Sequence, residues 1–199
     1  MGRVRRRPGR RGSVRAIRAL WVLAWGAILL APVFSESVHL RILAATGSVD
    51  EIKAALKNSD EITKRDSTGV SALMLAAASN HDPGVIPLLI SAGADINACS
   101  STGEDAVIYA AESNPNPEVV LALLKAGAGL EDRDGLGRTP LMAAAWGNSN
   151  PAVVTALLKA GANAKARSYS GMTALDYAQG NSAFPLDGPA CRALEDAVK

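Results

Sequence analysis

Aromatic residues are scarce in this chain: three Trp, three Tyr and two Phe make up 4% of 199 residues. A core must therefore be filled by aliphatic and small side chains, which suits helices packed through alanine. Cysteine is scarcer still, with only Cys99 and Cys191, which excludes a disulfide-dense scaffold. The two histidines, His39 and His81, have no H-x-x-x-H, C-x-x-C or acid–histidine spacing around them. No glycine-rich phosphate loop follows a strand pattern. No catalytic residue, metal site, cofactor or small-molecule substrate is expected. Acidic residues are absent from positions 1–35, which hold eight arginines. The other 13 basic and all 19 acidic side chains follow, so residues 36–199 carry −6. A body of that sign argues against nucleic acid, whose phosphates need a basic footprint.

The arginine-rich start runs into ALWVLAWGAILLA, an apolar run of 13 residues over 19–31, and then Pro32, Val33, Phe34 and Ser35. This order is that of a secretory signal peptide, with cleavage expected after Ser35. The run is short for a membrane span, which needs roughly 20 residues. The alternative is an uncleaved anchor over residues 19–34. A periplasmic or secreted array follows from the first reading, a membrane-anchored one from the second.

Beyond the leader the chain repeats itself. Gly69, Gly103, Gly137 and Gly171 are 34 apart, as are Gly93, Gly127 and Gly161. The stretch 139–162 shows why. Thr139 can cap a helix that Pro140 opens. Leu141, Ala144 and Ala145 form its apolar side. After a polar turn, Val153, Val154, Leu157 and Leu158 form the stripe of a second, core-facing helix. Gly161 ends it, as a glycine free to take positive φ. A fixed period with this content signals a stacked repeat. Residues 66–99, 100–133 and 134–167 are full units. Residues 36–65 read as an N-terminal capping unit and 168–199 as a polar C-terminal one. Cys99 and Cys191 then lie two to three units apart, at about 10 Å per unit, beyond disulfide reach. Cys191 is expected in the core and Cys99 free and partly exposed.

These residues resemble the ankyrin repeat, whose pattern is a hairpin glycine, T-P-L-H-x-A-A, a second helix ending L-L, and G-A-D-x-N-A. Gly137 to Ala145 match with Met142 for the usual His, and Gly93 to Ala98 match fully. The unit is 34 residues rather than 33. The extra residue lies in the N-x-x-P turns at 80–83, 114–117 and 148–151, which resemble a bacterial form of the repeat. Met74, Ile108, Met142 and Asp176 replace the His, so a hydrogen bond towards the neighbouring hairpin is absent or remade, and a lower stability is expected.

The resemblance implies an all-α repeat solenoid, an ankyrin array of helix-turn-helix units with projecting hairpins. It also implies protein binding through one concave strip formed by hairpin tips and first helices. The positions it places there include Val70, Glu104, Glu112, Leu136, Arg138, Trp146, Tyr169 and Met172. Leu136, Arg138, Trp146, Tyr169 and Met172 are expected to form one patch, since Trp, Tyr and Arg are enriched at binding hot spots. The matching positions for Trp146 hold Ala78, Glu112 and Gly180, so packing does not demand an indole there. The expected role is a monomeric, non-catalytic module that binds another protein. The alternatives are an accessory or protective protein of an envelope enzyme or toxin, and a host-directed secreted effector.

Overall fold

The computed structural model describes residues 36–57, 60–182, 184 and 188–199. The leader, with its expected cleavage or anchoring, and the side chain of His39 lie outside the described residues. Among the described residues, ten α-helices run in pairs: α1 (Glu36–Thr46) and α2 (Val49–Leu56), α3 (Ala72–Ser79) and α4 (Val85–Ser91), α5 (Ala106–Ser113) and α6 (Pro117–Lys125), α7 (Pro140–Gly147) and α8 (Ala152–Lys159), α9 (Ala174–Gln179) and α10 (Pro189–Val198). A 3₁₀ turn, Asp60–Thr63, follows α2. Among the described residues no β-strand forms, and one isolated antiparallel bridge joins Arg65 to Ser71. The chain is an all-α repeat solenoid.

The first helices α3, α5, α7 and α9 start for the same local reason. Ser71, Asp105, Thr139 and Thr173 are extended, and their side-chain oxygens accept from the backbone N–H three residues on, at 3.3, 2.9, 3.4 and 3.4 Å. That fills a donor the helix itself leaves orphaned. Met74, Ile108 and Met142 are fully buried in those first turns. Asp176 instead returns a carboxylate oxygen to the Thr173 N–H at 2.8 Å.

Ala76, Ala77, Ala110, Ala111, Ala144 and Ala145 are completely buried. Having almost no side chain, they let first helices approach far more closely than second helices do. Unequal spacing of two linked layers curves the stack, with first helices on the inner side. Leu73, Leu89, Leu123, Leu141 and Leu157 fill the space between the layers. The hairpins are tied edge to edge: Ser101 N–H donates to Thr68 O at 2.8 Å, Gly135 N–H to Thr102 O at 2.8 Å, and Tyr169 N–H to Leu136 O at 3.0 Å.

The N-x-x-P turns, with Asn181 at the corresponding place in the last unit, hold a buried polar spine. Asn80, Asn114, Asn148 and Asn181 each send one amide nitrogen to two backbone carbonyls of the preceding unit. For Asn148 these are Ala111 O and Asn114 O, both at 2.8 Å. The carbonyls belong to the end of the preceding first helix, where no intrahelical donor remains. Asn114 Oδ1 and Asn148 Oδ1 accept from the N–H two residues on, at 3.0 and 2.8 Å. In the same turns, Asn116 and Asn150 bond His81 O and Pro115 O across the repeat boundary. The additional residue in each unit thus belongs to a turn that caps its neighbour.

Candidate protein-binding surface

The hairpin 134–138 builds the centre of the inner strip. Asp134 Oδ1 accepts from the N–H groups of Leu136 at 2.9 Å and Arg138 at 2.8 Å, which closes the turn. Gly137 takes φ +73°, and a Cβ there would come within 2.6 Å of the Tyr169 ring. Only glycine fits both the backbone and the close approach. Tyr169 therefore rests against the hairpin of the preceding unit while 76% exposed. Leu136 is 61% exposed and Trp146 44%. Trp146 meets the edge of Tyr177 at 6.1 Å between ring centroids, with planes 79° apart. The Tyr177 hydroxyl in turn donates to Ser168 Oγ at 3.2 Å.

Arg138 stands differently from its expected place in the exposed patch. It is 92% buried, given its 8% exposure, and its guanidinium is enclosed by carboxylates. Nε donates to Asp134 Oδ2 at 2.6 Å, and Nη2 lies 3.3 Å from Glu112 Oε2 and 3.5 Å from Glu104 Oε1. The arginine joins two units from inside. Glu104 and Val70 are buried as well, and Glu112 and Met172 are half-buried. Leu136, Trp146 and Tyr169 are the large apolar side chains that remain exposed among the described residues. The sequence reading passed over Asp134 and Tyr177, which position this group. Asp134 is the acidic partner at i−4 of Arg138, and Tyr177 sits one unit on from Trp146, a placement visible once the units are aligned.

A second polar pair lies beside the same hairpins. Asp105 caps α5, and where the neighbouring units bury Ala98 and Ala166, this unit has Asp132. Gly129 lacks the side chain found at Asp95 and Asn163, and the Asp132 carboxyl occupies the space above it. Burial pushes the Asp105 carboxyl from an ordinary 3.8 up to about 6, and the hydrogen bond and charge of Asp132 push it the same way. Between pH 4 and 6 the unfolded chain gives up this proton while the folded chain keeps it. Stability contributed by this group therefore falls as pH rises through that window, and the cost is fully present above it. Asp105→Asn keeps a good N-cap acceptor and removes the cost. It should raise stability at pH 7.5 by on the order of 1 kcal/mol, fading to nothing near pH 4. Urea unfolding at both pH values measures this, and an equal gain at both would contradict it. Burial, followed by the Asp105 and Asp132 charges, also pushes the Cys99 thiol up, so this exposed cysteine is not a reactive thiolate. Cys191 is buried and no disulfide joins the two.

On the second-helix side, a groove of about 770 Å³ lies between α6, α8 and α10, over Leu121, Ala152, Thr155 and Ala156. Its charged lining residues are Glu118 and Lys159. Among the described residues no three His, Cys, Asp or Glu side chains converge to hold a metal ion. No helix among them is long and apolar enough to cross a membrane.

Stacked helix pairs with bonded hairpins and an apolar group on the inner strip define a helical-repeat binding scaffold. Models of the ankyrin repeat match residues 68–101 and, as ankyrin repeats in three copies, residues 107–185, together more than half of the chain. The chain belongs to the ankyrin-repeat family, whose repeats are in general protein–protein interaction modules. None of the curated proteins matches it.

Proposed function

We propose that this chain is an exported, monomeric, non-catalytic module that holds one partner protein against its inner strip. The supporting observation is that Leu136, Trp146 and Tyr169, the exposed large hydrophobics, all lie on hairpins and the first-helix layer. A preformed strip needs little ordering when it binds, which favours recognition by a rigid surface. Export is supported by the arginine-rich, apolar leader, and residues 36–65 and 168–199 serve as the capping units. Val70, Glu104 and Arg138 act in this reading by holding the strip from beneath. Glu112 and Met172 border it.

The test is affinity capture from an extracytoplasmic fraction with the full chain as bait, followed by titration of the purified captured protein. Trp146→Ala should weaken binding by about 2 kcal/mol or more. It should cost about 1 kcal/mol of stability or less, the scale of one aromatic edge contact. A large loss of stability with unchanged affinity would assign Trp146 to packing and remove the strip as the binding surface.

A further inference from the structure

The second-helix face of the stack carries a surface of a different kind. Facing out from α8 stand Ala152, Thr155 and Ala156, where α6 has Glu118, Leu121 and Ala122 one period earlier. Ala152 is exposed, Ala156 is half-buried, and neither joins the apolar core. With side chains this small, α8 forms the floor of the groove of about 770 Å³, walled by Leu121 of α6 and by the start of α10. Pro117, Pro151 and Pro189, at the starts of α6, α8 and α10, line it at one end. They have no N–H to offer. The polar groups beside them are already used: Asn150 donates to Pro115 O and accepts from Ala152 N–H, and the Thr155 hydroxyl donates to Pro151 O. Charge therefore enters the groove only through Glu118, in the first turn of α6, and Lys159, in the last turn of α8. Second helices repeat in one direction along the stack, so these two mark opposite ends. The eight residues of α8 set them about 12 Å apart along the helix axis. Both side chains are exposed, and neither forms an ion pair among the described residues.

We infer that this groove docks one amphipathic helix of a second partner protein, laid antiparallel to α8. A helix of about two to three turns fills its length, and the small floor residues let an apolar seam descend between the walls. Helices favour acidic side chains in their first turn and basic ones in their last, where they complement the macrodipole. Running antiparallel to α8, such a helix brings its acidic start to Lys159 and its basic end to Glu118. Running parallel, it meets like charge at both ends, which complementary interfaces exclude. This surface lies on the opposite layer from Leu136, Trp146 and Tyr169 and does not depend on the inner-strip reading. With both surfaces filled, the chain joins two proteins.

The experiment titrates the full chain against three fluorescein-labelled peptides of about 14 residues. They share a leucine face and a lactam bridge that holds them helical. One carries glutamates in its first turn and lysines in its last, one glutamates at both ends, and one lysines at both ends. The first should saturate the chain below about 1 mM and bind at least about fivefold tighter than the other two. Lys159→Glu makes both groove ends acidic and should pass the preference to the lysine-ended peptide. Ala156→Phe fills the floor and should weaken the first peptide at least about tenfold. Lys125→Gln, in the last turn of α6 outside the groove, and Trp146→Ala, on the inner strip, should leave it unchanged. A nitroxide on the first residue of that peptide should broaden amide signals around Lys159 rather than Ala152. Thermal melting checks that each variant folds, and the ranking of the three peptides on the parent chain needs no variant. No saturation by any peptide, equal affinity for all three, or binding that Ala156→Phe does not alter overturns the groove as a helix site. Broadening around Ala152 overturns the antiparallel direction. Self-association of the parent chain in sedimentation, relieved by the peptide, makes the occupant a second copy and overturns the foreign helix. Loss of peptide binding in Trp146→Ala places the peptide on the inner strip, so this inference falls while that reading stands.

Discussion

Arg138→Ala should lower the unfolding free energy by about 3–5 kcal/mol at pH 7, the range for breaking one side of a buried ion cluster. The side chain is 10% exposed and lies against Asp134, whose carboxylate is 2% exposed, and against Glu104 at 6%. Without the guanidinium, three carboxylates from two adjacent units share one poorly solvated space. Each then prefers to be protonated in the folded state, so its folded pKa rises above its unfolded value. The sign follows: the variant regains stability as pH falls through those raised values and loses it again as pH rises. The gain from acid at Asp105 is common to both chains, so the difference between parent and variant at the two pH values isolates this cluster. Urea unfolding at pH 7 and near pH 4.5 separates the two. Adding Glu104→Gln and Glu112→Gln to Arg138→Ala should recover part of the loss at pH 7. A loss below about 1 kcal/mol that does not vary with pH would mean that Arg138 is solvated, as exposed pairs are.

This arginine also shows where reading a single unit stops. In its own hairpin Arg138 is one charged residue beside a glycine, and charged residues beside turn glycines are usually solvated. Its burial is decided by Glu104, which lies one repeat period earlier in the same column, and by Glu112 on the preceding first helix. The aligned units hold that signal: opposite charges at i and i+34 face each other across a repeat boundary. The helix starts needed no such context. Thr139 with Pro140, and the glycines spaced by 34, carry their geometry in their own chemistry, and the caps and positive-φ turns stand where the pattern puts them. The exposed side chains lie between these cases. Trp146 was legible because Ala78, Glu112 and Gly180 fill the same position elsewhere, so nothing in the stack needs its bulk. The asparagines of the N-x-x-P turns were legible as turn residues but not as buried ones. An asparagine reads as a loop residue until the carbonyls it must satisfy are known, and those belong to the unit before.

That spine carries the other large effect. Asn148→Ala should cost about 3–4 kcal/mol, more than its size suggests. It leaves Ala111 O and Asn114 O without the 2.8 Å donors they share, and frees the Asn150 N–H that bonds Asn148 Oδ1. An unsatisfied buried group costs about 1–3 kcal/mol, and Asn148 is 1% exposed, so water does not reach these atoms without opening the turn. Asn148→Asp is the sharper variant. It has the same shape and keeps the acceptor for Asn150, but sets a carboxylate against two carbonyl oxygens. It should cost at least as much as the alanine, and regain stability at acid pH as the carboxyl takes up a proton that it can donate. Asn150→Ala, at a half-buried position where the side chain donates to Pro115 O and accepts from the exposed Ala152 N–H, should cost about 1 kcal/mol. Location along the stack matters as well as chemistry. Stability in a repeat array is a sum of units and nearest-neighbour interfaces, and Asn148 spans the interface between α5 and α7 near the middle. Breaking it should uncouple the two sides, so that amides of α7 to α10 exchange with solvent before those of α3 and α5. Hydrogen exchange on Asn148→Ala reads this directly. Uniform exchange across the array, with both Asn148 variants within about 1 kcal/mol of the parent, would show that the alanine contacts between first helices hold the units together without the spine.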